Sequence, residues 1–350
     1  MLNVLRISLA FAMGMILLAM APVVPAQDDA SAVEVPVADN SAGARDDALV
    51  EALDALLVRL TGNPDVVDTA VAERLRETVN DTVNGFSYRS VAVDDGDQAE
   101  RETRLRVRFS RPAVRNALAR AEIAVWPPSP PAVLVWLGAQ RDGERFIAGN
   151  DQGEGLIEAL DAAARPLGIR PVAPLMDLQD RRNLGFADIA GGFIQPVREA
   201  SERYGAGAVL MGRLQRGGRP EYQVRWTLLP GDNASVQRWR SSGERLEAVM
   251  ASGARGLAER LRESLAYVAD PDSRRQLEVS VAGIDSLATH QAVAERLGEL
   301  VGVTRVTPAE VAGDRVRWQL AIGVDAERVE RALAAESRLR PTGDGYRWRQ

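Results

Sequence analysis

The chain has 350 residues, of which 46% are apolar and 26% are charged, and its formal net charge is −6 at pH 7. It contains no cysteine, and all 43 of its basic residues are arginine. This composition allows two or three folded domains, and it excludes thiol catalysis, disulfides, thiolate metal sites and lysine Schiff bases. A mildly acidic chain with dispersed arginines also lacks the basic face that nucleic-acid binding requires, so we expect no nucleic-acid partner.

The first 26 residues predict an export signal. Arg6 gives a positive start, residues 7–20 are almost all apolar, and residues 24–26 are the small residues that a signal peptidase accepts. We expect cleavage between Ala26 and Gln27, which would leave a periplasmic chain that lacks the cysteine needed for lipid attachment. An uncleaved anchor is the alternative, but the apolar run is short for a span of about 20 residues. No later segment is apolar for long enough to span a bilayer.

Residues 31–124 predict an amino-terminal α/β domain with the element order βα(α)ββα. A strand near residues 32–37 is followed by a helix with one apolar face, formed by Leu49, Leu53, Leu56, Leu57 and Leu60. Gly62 and Pro64 are expected to end this helix. In "TRLRVRF", apolar and basic residues alternate, so the strand places Arg104, Arg106 and Arg108 on the face opposite the core.

The stretch "VWPPSPP" (125–131) predicts a boundary, because four prolines in five positions exclude a helix and a central strand. We interpret it as a stiff linker, with a ligand for a proline-recognition domain as the alternative.

Residues 132–270 predict a central α/β sandwich with a mixed sheet. The continuous apolar run Ala132–Ala139 is typical of a strand that is covered on both faces. The glycine-rich stretch "YGAGAVLMGRLQRGG" (204–218) resembles a phosphate-binding loop, but its glycines end a helix and precede a strand. A dinucleotide site requires the reverse order, so we predict a helix-to-strand connector.

Residues 275–350 predict a third domain with the order β-α-β-β-α-β, which is that of a ferredoxin-like fold. The sequence therefore predicts a mixed α/β (α+β) protein built from three small domains.

The connection Pro174–Phe193, "PLMDLQDRRNLGFADIAGGF", is where we expect a ligand groove. It follows a predicted strand end, where α/β sheets place ligands, and it carries Asp177, Asp180 and Asp188. These carboxylates are candidates for ligand binding or for acid–base chemistry, and helix capping is the alternative.

The rest of the sequence supplies little catalytic equipment. The single histidine, His290, falls beside the apolar face of a predicted helix and is interpreted as a core or boundary residue. The acids of "DDGDQAE" (94–100) lack the spacing of a calcium loop and predict a solvated turn. We therefore expect no cofactor and no metal site.

Several blocks occur in order between about residues 31 and 268, among them "RLRVRFSRPAVRNALARAEIAVWPPSPPAVLVWL", "PLMDLQDRRNLGFADIAGGF" and "RYGAGAVLMGRL". They resemble an exported proteobacterial family of unknown function, number 2066. This resemblance implies an exported, non-lipidated protein, and it implies no activity, cofactor or catalytic residue. At the level of the fold, the middle segment is similar to the amino-terminal domain of TolB, and a shared fold does not transfer function.

Three functional hypotheses follow. The first is a non-enzymatic periplasmic protein that binds another envelope protein. The second is a periplasmic module that binds a small ligand or a glycan near Pro174–Phe193. The third is an acid–base hydrolase that uses Asp177 with Asp180 or Asp188. The oligomeric state stays open.

Overall fold

Three β-sheets with helices packed against them form the described part of the chain, which confirms the expected mixed α/β class. The computed structural model describes residues 32–94, 99–127, 132–141, 143–149, 153–219, 221–230, 235–336 and 338–349. The predicted export signal and its cleavage point lie outside the described residues, as do residues 95–98 of the acidic turn and 128–131 of the predicted linker.

The first unit is an antiparallel sheet of order β1-β3-β2 that carries helices on one face. Its elements are β1 (Ala32–Pro36), α1 (Ala42–Thr61), a 3₁₀ turn (Pro64–Asp68), α2 (Ala70–Glu77), α3 (Val79–Thr82), β2 (Val83–Asp94), β3 (Ala99–Phe109) and α4 (Arg111–Arg120). This order confirms the predicted βα(α)ββα unit. The five leucines of α1 are all buried, and the helix ends at Gly62 with a φ of 63°, as the apolar pattern and the glycine predicted.

The middle unit is a mixed sheet of order β5-β4-β7-β8-β9, with β6 also paired to β4. Its elements are β4 (Val133–Arg141), β5 (Glu144–Ile147), α5 (Glu154–Ala164), a 3₁₀ turn (Arg165–Leu167), β6 (Pro171–Val172), α6 (Leu178–Asn183), α7 (Phe186–Gly191), α8 (Ile194–Ser201), a 3₁₀ turn (Glu202–Tyr204), β7 (Ala208–Arg216), β8 (Tyr222–Pro230), β9 (Gln237–Gly243) and α9 (Leu246–Leu265). β4 runs parallel to β6 and β7, and the other pairs are antiparallel.

Strand β4 is covered on both faces, as its apolar run predicted. Val133, Val135 and Leu137 belong to a core that also contains residues of α5 and α9. Leu134 and Trp136 belong to a second core, which includes residues of α7 and α8. The connection after β6 therefore forms the second layer over this sheet.

The stretch 204–218 is a helix-to-strand connector, as predicted. Gly205 follows the 3₁₀ turn in the left-handed conformation with a φ of 57°, and β7 begins three residues later. Gly212 lies inside β7, where an added Cβ would approach the side chain of Leu137 to 2.6 Å and that of Trp226 to 2.7 Å. This glycine is needed for close packing within the sheet.

The third unit has the sheet order β11-β12-β10-β14-β13. Its elements are β10 (Gln276–Ala282), α10 (Leu287–Gly298), β11 (Val303–Ala312), β12 (Arg315–Ile322), α11 (Ala326–Ala335), β13 (Leu339–Thr342) and β14 (Gly345–Trp348). The predicted order holds as far as α11, and then a hairpin stands where one last strand was expected.

A tight turn explains this hairpin. Asp344 accepts a hydrogen bond from Arg315 of β12 at 2.6 Å, and Gly345 has a φ of 137°. The turn returns the chain so that β14 lies parallel to β10, with Val281 opposite Tyr346.

Buried contacts join the units. Val125 forms an isolated β-bridge with Tyr267, whose hydroxyl accepts a hydrogen bond from the Gly302 backbone at 3.0 Å. Trp126 is 3% exposed and donates its indole N–H to the Leu167 carbonyl at 2.9 Å. By their contacts, the three units form one compact body over the described residues, and the domain boundaries at 125–131 and near 270 stay predictions.

Candidate functional site

The connection Pro174–Phe193 is more ordered than its glycines and charges suggested, because it contains the short helices α6 and α7. Leu184, between these helices, and Ile189, within α7, are 2% and 3% exposed and share a core with Trp136 of β4. These two apolar anchors hold the connection against the sheet.

Two of the three predicted carboxylates lie in one cluster, which we name the Asp–Arg–Tyr cluster (Asp177, Asp180, Arg203 and Tyr204). Asp177 is the N-cap of α6, and its Oδ1 accepts hydrogen bonds from the backbone N–H groups of Gln179 and Asp180 at 3.0 Å. The guanidinium of Arg203 donates to both oxygens of Asp177 at 2.8 Å. This is the bidentate geometry in which an arginine holds a carboxylate most firmly.

Asp180 is the buried member of the cluster, with 1% of its surface exposed. Its Oδ2 accepts hydrogen bonds from the Met176 backbone at 2.9 Å and from the hydroxyl of Tyr204, and its Oδ1 accepts one from Arg203 at 3.2 Å. The Tyr204 hydroxyl in turn accepts a hydrogen bond from the Leu175 backbone at 2.9 Å. The cluster therefore ties the start of the connection to the end of α8.

The electrostatics of the cluster follow from these bonds. Hydrogen bonding to Arg203, helped by the Asp180 backbone N–H, holds the pKa of Asp177 far below its usual range. Hydrogen bonding to Asp177 likewise raises the pKa of Arg203. Burial, followed by the bond to Asp180, raises the pKa of Tyr204 to about 12. Near neutral pH, Asp177 is thus a carboxylate, and Tyr204 keeps its proton as a hydrogen-bond donor.

The third predicted carboxylate has a separate role. Asp188 accepts a hydrogen bond from the Gly185 backbone at 2.8 Å, which caps the start of α7 from its third residue. It makes no hydrogen bond or ion pair to the Asp–Arg–Tyr cluster within the described residues. The capping alternative thus describes the contacts of both Asp177 and Asp188, and their part in ligand binding stays a prediction.

Met176 adopts an unusual backbone conformation beside the cluster, with a φ of 54°. A non-glycine residue is held there only when its surroundings enforce it. Its N–H donates to Asp180, and its carbonyl accepts a hydrogen bond from Arg181 Nε at 2.7 Å. Both polar groups of this peptide segment are therefore fixed by side chains of α6.

A cavity of about 410 Å³ opens to solvent next to Met176, and we name it the loop cavity. Its described lining comes from β5 and from the 174–193 connection: Arg145, Phe146, Ile147, Met176, Arg181, Leu184 and Phe186. The charged members of this lining are the two arginines, and the Arg145 guanidinium lies 5.8 Å from the centre of the Phe186 ring. Two cations beside an apolar wall suit an anionic organic ligand.

The sequence located this region but not its key side chains. Arg203 and Tyr204 stand 26 and 24 residues after their partners in the cluster, and no local pattern links them. Arg145 and Arg181 belong to no motif that the sequence analysis identified. A local pattern that points to Arg203 and Tyr204 is "RYG", in which a charged and an aromatic residue directly precede a helix-ending glycine.

His290 lies at the edge of the third core, with its ring centre 4.7 Å from that of Trp318, which agrees with its interpretation as a boundary residue. Within the described residues, no group of three or more His, Cys, Asp and Glu side chains could hold a metal ion. In the same part of the chain, no helix combines the length and apolar character needed to cross a bilayer.

A family model described as "Domain of unknown function (DUF8605)" matches residues 26–127. The match covers the first unit and less than half of the chain, and it supports an uncharacterised domain there. No curated protein matches the chain.

Proposed function

We propose that this chain is a non-enzymatic binding protein of the periplasm, exported by residues 1–26, and that its ligand site is the loop cavity. The observation that carries the proposal is that Arg145 and Arg181 line the same cavity beside an apolar wall. The nearby carboxylates of Asp177 and Asp180 already accept hydrogen bonds within the Asp–Arg–Tyr cluster. The ligand class we propose is an acidic sugar or a fragment of an acidic glycan. Its carboxylate would pair with the arginines, and its less polar side would contact Phe186.

The state of the carboxylates supports binding over hydrolysis. A general acid needs a proton near neutral pH, and Asp177 is held ionised by Arg203. Asp180 has hydrogen-bond donors on both oxygens and is nearly inaccessible. Asp177 therefore lacks the proton that a general acid would donate, and the burial of Asp180 keeps it away from a substrate.

Binding of glucuronate, with glucose as its uncharged counterpart, tests this proposal. We expect isothermal titration calorimetry to detect glucuronate but not glucose, and Arg145→Gln to weaken the glucuronate affinity at least about tenfold. Arg182→Gln is the matched control, since Arg182 is exposed on the same helix as Arg181 and does not line the cavity. Equal binding of both sugars, or equal loss in both variants, would remove the loop cavity as the site.

A second candidate function, an interaction protein that binds an acidic surface of another envelope protein, is favoured by the open face of the first sheet. Among the described side chains, four arginines and two glutamates share this face: Arg89, Arg104, Arg106, Arg108, Glu34 and Glu102. Arg89 lies directly opposite Arg104, a pairing of like charges that destabilises a sheet. Glu34 lies 3.7 Å from Arg89 and 3.8 Å from Arg106, so it is shared between them, and Glu102 pairs with Arg104 at 2.7 Å, which leaves four arginines against two glutamates. An acidic partner would supply the missing negative charge.

Crosslinking in the native host, followed by mass spectrometry of the envelope fraction, tests this candidate. We expect a reproducible partner to be captured by the native chain and lost from the Arg104→Glu/Arg108→Glu variant. The control is Arg238→Glu/Arg240→Glu, which makes the same charge change on exposed positions of β9. Recovery of the chain without a partner, or capture of the same partner by the Arg104→Glu/Arg108→Glu variant, would contradict this role.

Two finer assignments belong with this proposal. The ordered blocks between residues 31 and 268 support a relation to the exported family 2066, and the mixed sheet of the middle unit supports its likeness to the TolB amino-terminal domain. Both remain proposals at the level of family and fold, and neither brings an activity.

A further inference from the structure

A second cavity, of about 490 Å³, lies between the first and third units, and we name it the junction cavity. Helix α4 forms one wall, and α10 with β11 forms the other. Among the residues that the structure describes, it shares no lining residue with the loop cavity. Its size falls in the range of small-molecule sites, which occur preferentially where domains meet.

The α4 wall carries two arginines, Arg111 and Arg115. The side chain of Arg111 is 11% exposed, and its guanidinium lies 3.6 Å from Glu299, which directly follows α10. Arg115 donates one hydrogen bond, from Nη2 to the Trp126 carbonyl at 3.0 Å. Its Nε is buried and has no hydrogen-bond partner among the described residues. A buried guanidinium N–H without an acceptor is uncommon in native proteins, because burial removes its hydrogen bonds to water and no protein group replaces them.

The opposite wall carries two carboxylates, those of Glu295, which is exposed, and of Glu299. Glu299 is already engaged with Arg111 and with Arg296, which it meets at 2.8 Å. β11 adds a further cation, Arg305, and an apolar neighbour, Val306. Phe109 and Pro112 extend the apolar surface on the other side. In the described lining, three arginines (Arg111, Arg115 and Arg305) therefore outnumber two glutamates, and Phe109, Pro112 and Val306 supply apolar surface beside them.

We propose that the junction cavity binds a small carboxylate that carries an apolar group, with the carboxylate on Arg115 and the apolar group against Val306 and Pro112. A carboxylate is an acceptor-only group that matches a guanidinium edge. Because the ligand contacts both units, its binding stabilises their junction, and the melting temperature rises with ligand concentration.

Phenylacetate and its uncharged isostere phenylacetamide are the probes for this site. We expect phenylacetate at millimolar concentration to raise the melting temperature of the purified chain and phenylacetamide to leave it unchanged. Arg115→Gln should weaken the phenylacetate affinity at least about tenfold. Arg145→Gln, which alters the loop cavity, should leave it unchanged, so the two sites are tested separately.

A blocking variant keeps the test decisive if Arg115→Gln fails to fold. Gly298 lines the cavity at the end of α10, and an added Cβ there meets only Val306, at 3.7 Å. Gly298→Leu should fill the space and abolish binding, whereas Gly298→Ala should retain the affinity within about threefold. Equal binding of acid and amide, no binding of either, or undiminished binding by Gly298→Leu would overturn the proposal.

Discussion

Asp180 illustrates how one buried side chain organises a whole connection. Its two oxygens accept hydrogen bonds from Met176, Arg203 and Tyr204, and every donor is fixed by the fold. Asp180→Asn would place an amide N–H against one of these donors. We expect the free energy of unfolding to fall by about 2–4 kcal/mol, measured by urea denaturation.

Asp188→Asn is the control for that substitution, because it also removes a carboxylate from a helix start in the same connection. Asp188 accepts a single backbone hydrogen bond at a more exposed position, so we expect a loss of about 1 kcal/mol or less. Similar losses in the two variants would show that the Asp–Arg–Tyr cluster contributes no more than an ordinary cap.

Tyr204 makes the stability of the folded chain depend on pH in the alkaline range. Its pKa in the folded chain is raised to about 12, above the value of about 10 expected in the unfolded chain. Between these values the folded chain binds more protons than the unfolded chain, so stability falls as the pH rises from about 10 to about 12. Titration by tyrosinate absorbance should show a late phase that disappears in Tyr204→Phe. Retention of that phase in the variant would assign it to another of the five tyrosines.

At the scale of elements, the sequence predicted those helices and strands whose burial follows a local apolar pattern. The leucine face of α1 and the apolar run of β4 were found from the sequence, because burial repeats with the period of the element. The helices α6 and α7 were not found, since each has only six residues and depends on side-chain caps rather than on an apolar repeat. The same limit applies to the site: Asp177 marked the region, but its partner Arg203 is set by the packing of α8.

Within the β13–β14 hairpin, only strand β13 was missed, because it has four residues and no apolar repeat, although the "DG" of the turn is typical of hairpins. Gly345 is essential to the hairpin: an added Cβ would lie 2.4 Å from the Ser280 carbonyl oxygen. We expect Gly345→Ala to lower the free energy of unfolding by about 1–3 kcal/mol in urea denaturation. Gly343→Ala in the same turn meets nothing within 4 Å, and its effect should stay within about 0.5 kcal/mol. Equal effects would mean that this turn tolerates a side chain at either position.

At the scale of the whole molecule, the units share buried residues across the predicted boundaries. Val301 of the third unit and Tyr267, which follows α9, both belong to the core of the first unit. Deleting residues 275–350 would therefore remove part of that core as well as a sheet. A partner lost on such a deletion could be lost through unfolding, which is why point variants on the sheet face are the better test of an interaction.

We expect a substitution of Tyr267 to lower the stability of all three sheets. It follows α9 of the middle unit, it pairs with Val125 after the first unit, and its hydroxyl satisfies the Gly302 backbone of the third. Tyr267→Phe leaves a buried N–H without its acceptor, so we expect a loss of about 1–2 kcal/mol. Tyr88→Phe, which removes a hydroxyl that makes no hydrogen bond in the described structure, is the control and should be nearly neutral.

If the units unfold together, far-UV circular dichroism and tryptophan fluorescence will give one coincident urea transition, which Tyr267→Phe shifts as a whole. Separate transitions, of which the substitution moves only one, would instead mean that the units fold independently and that Tyr267 stabilises just one of them.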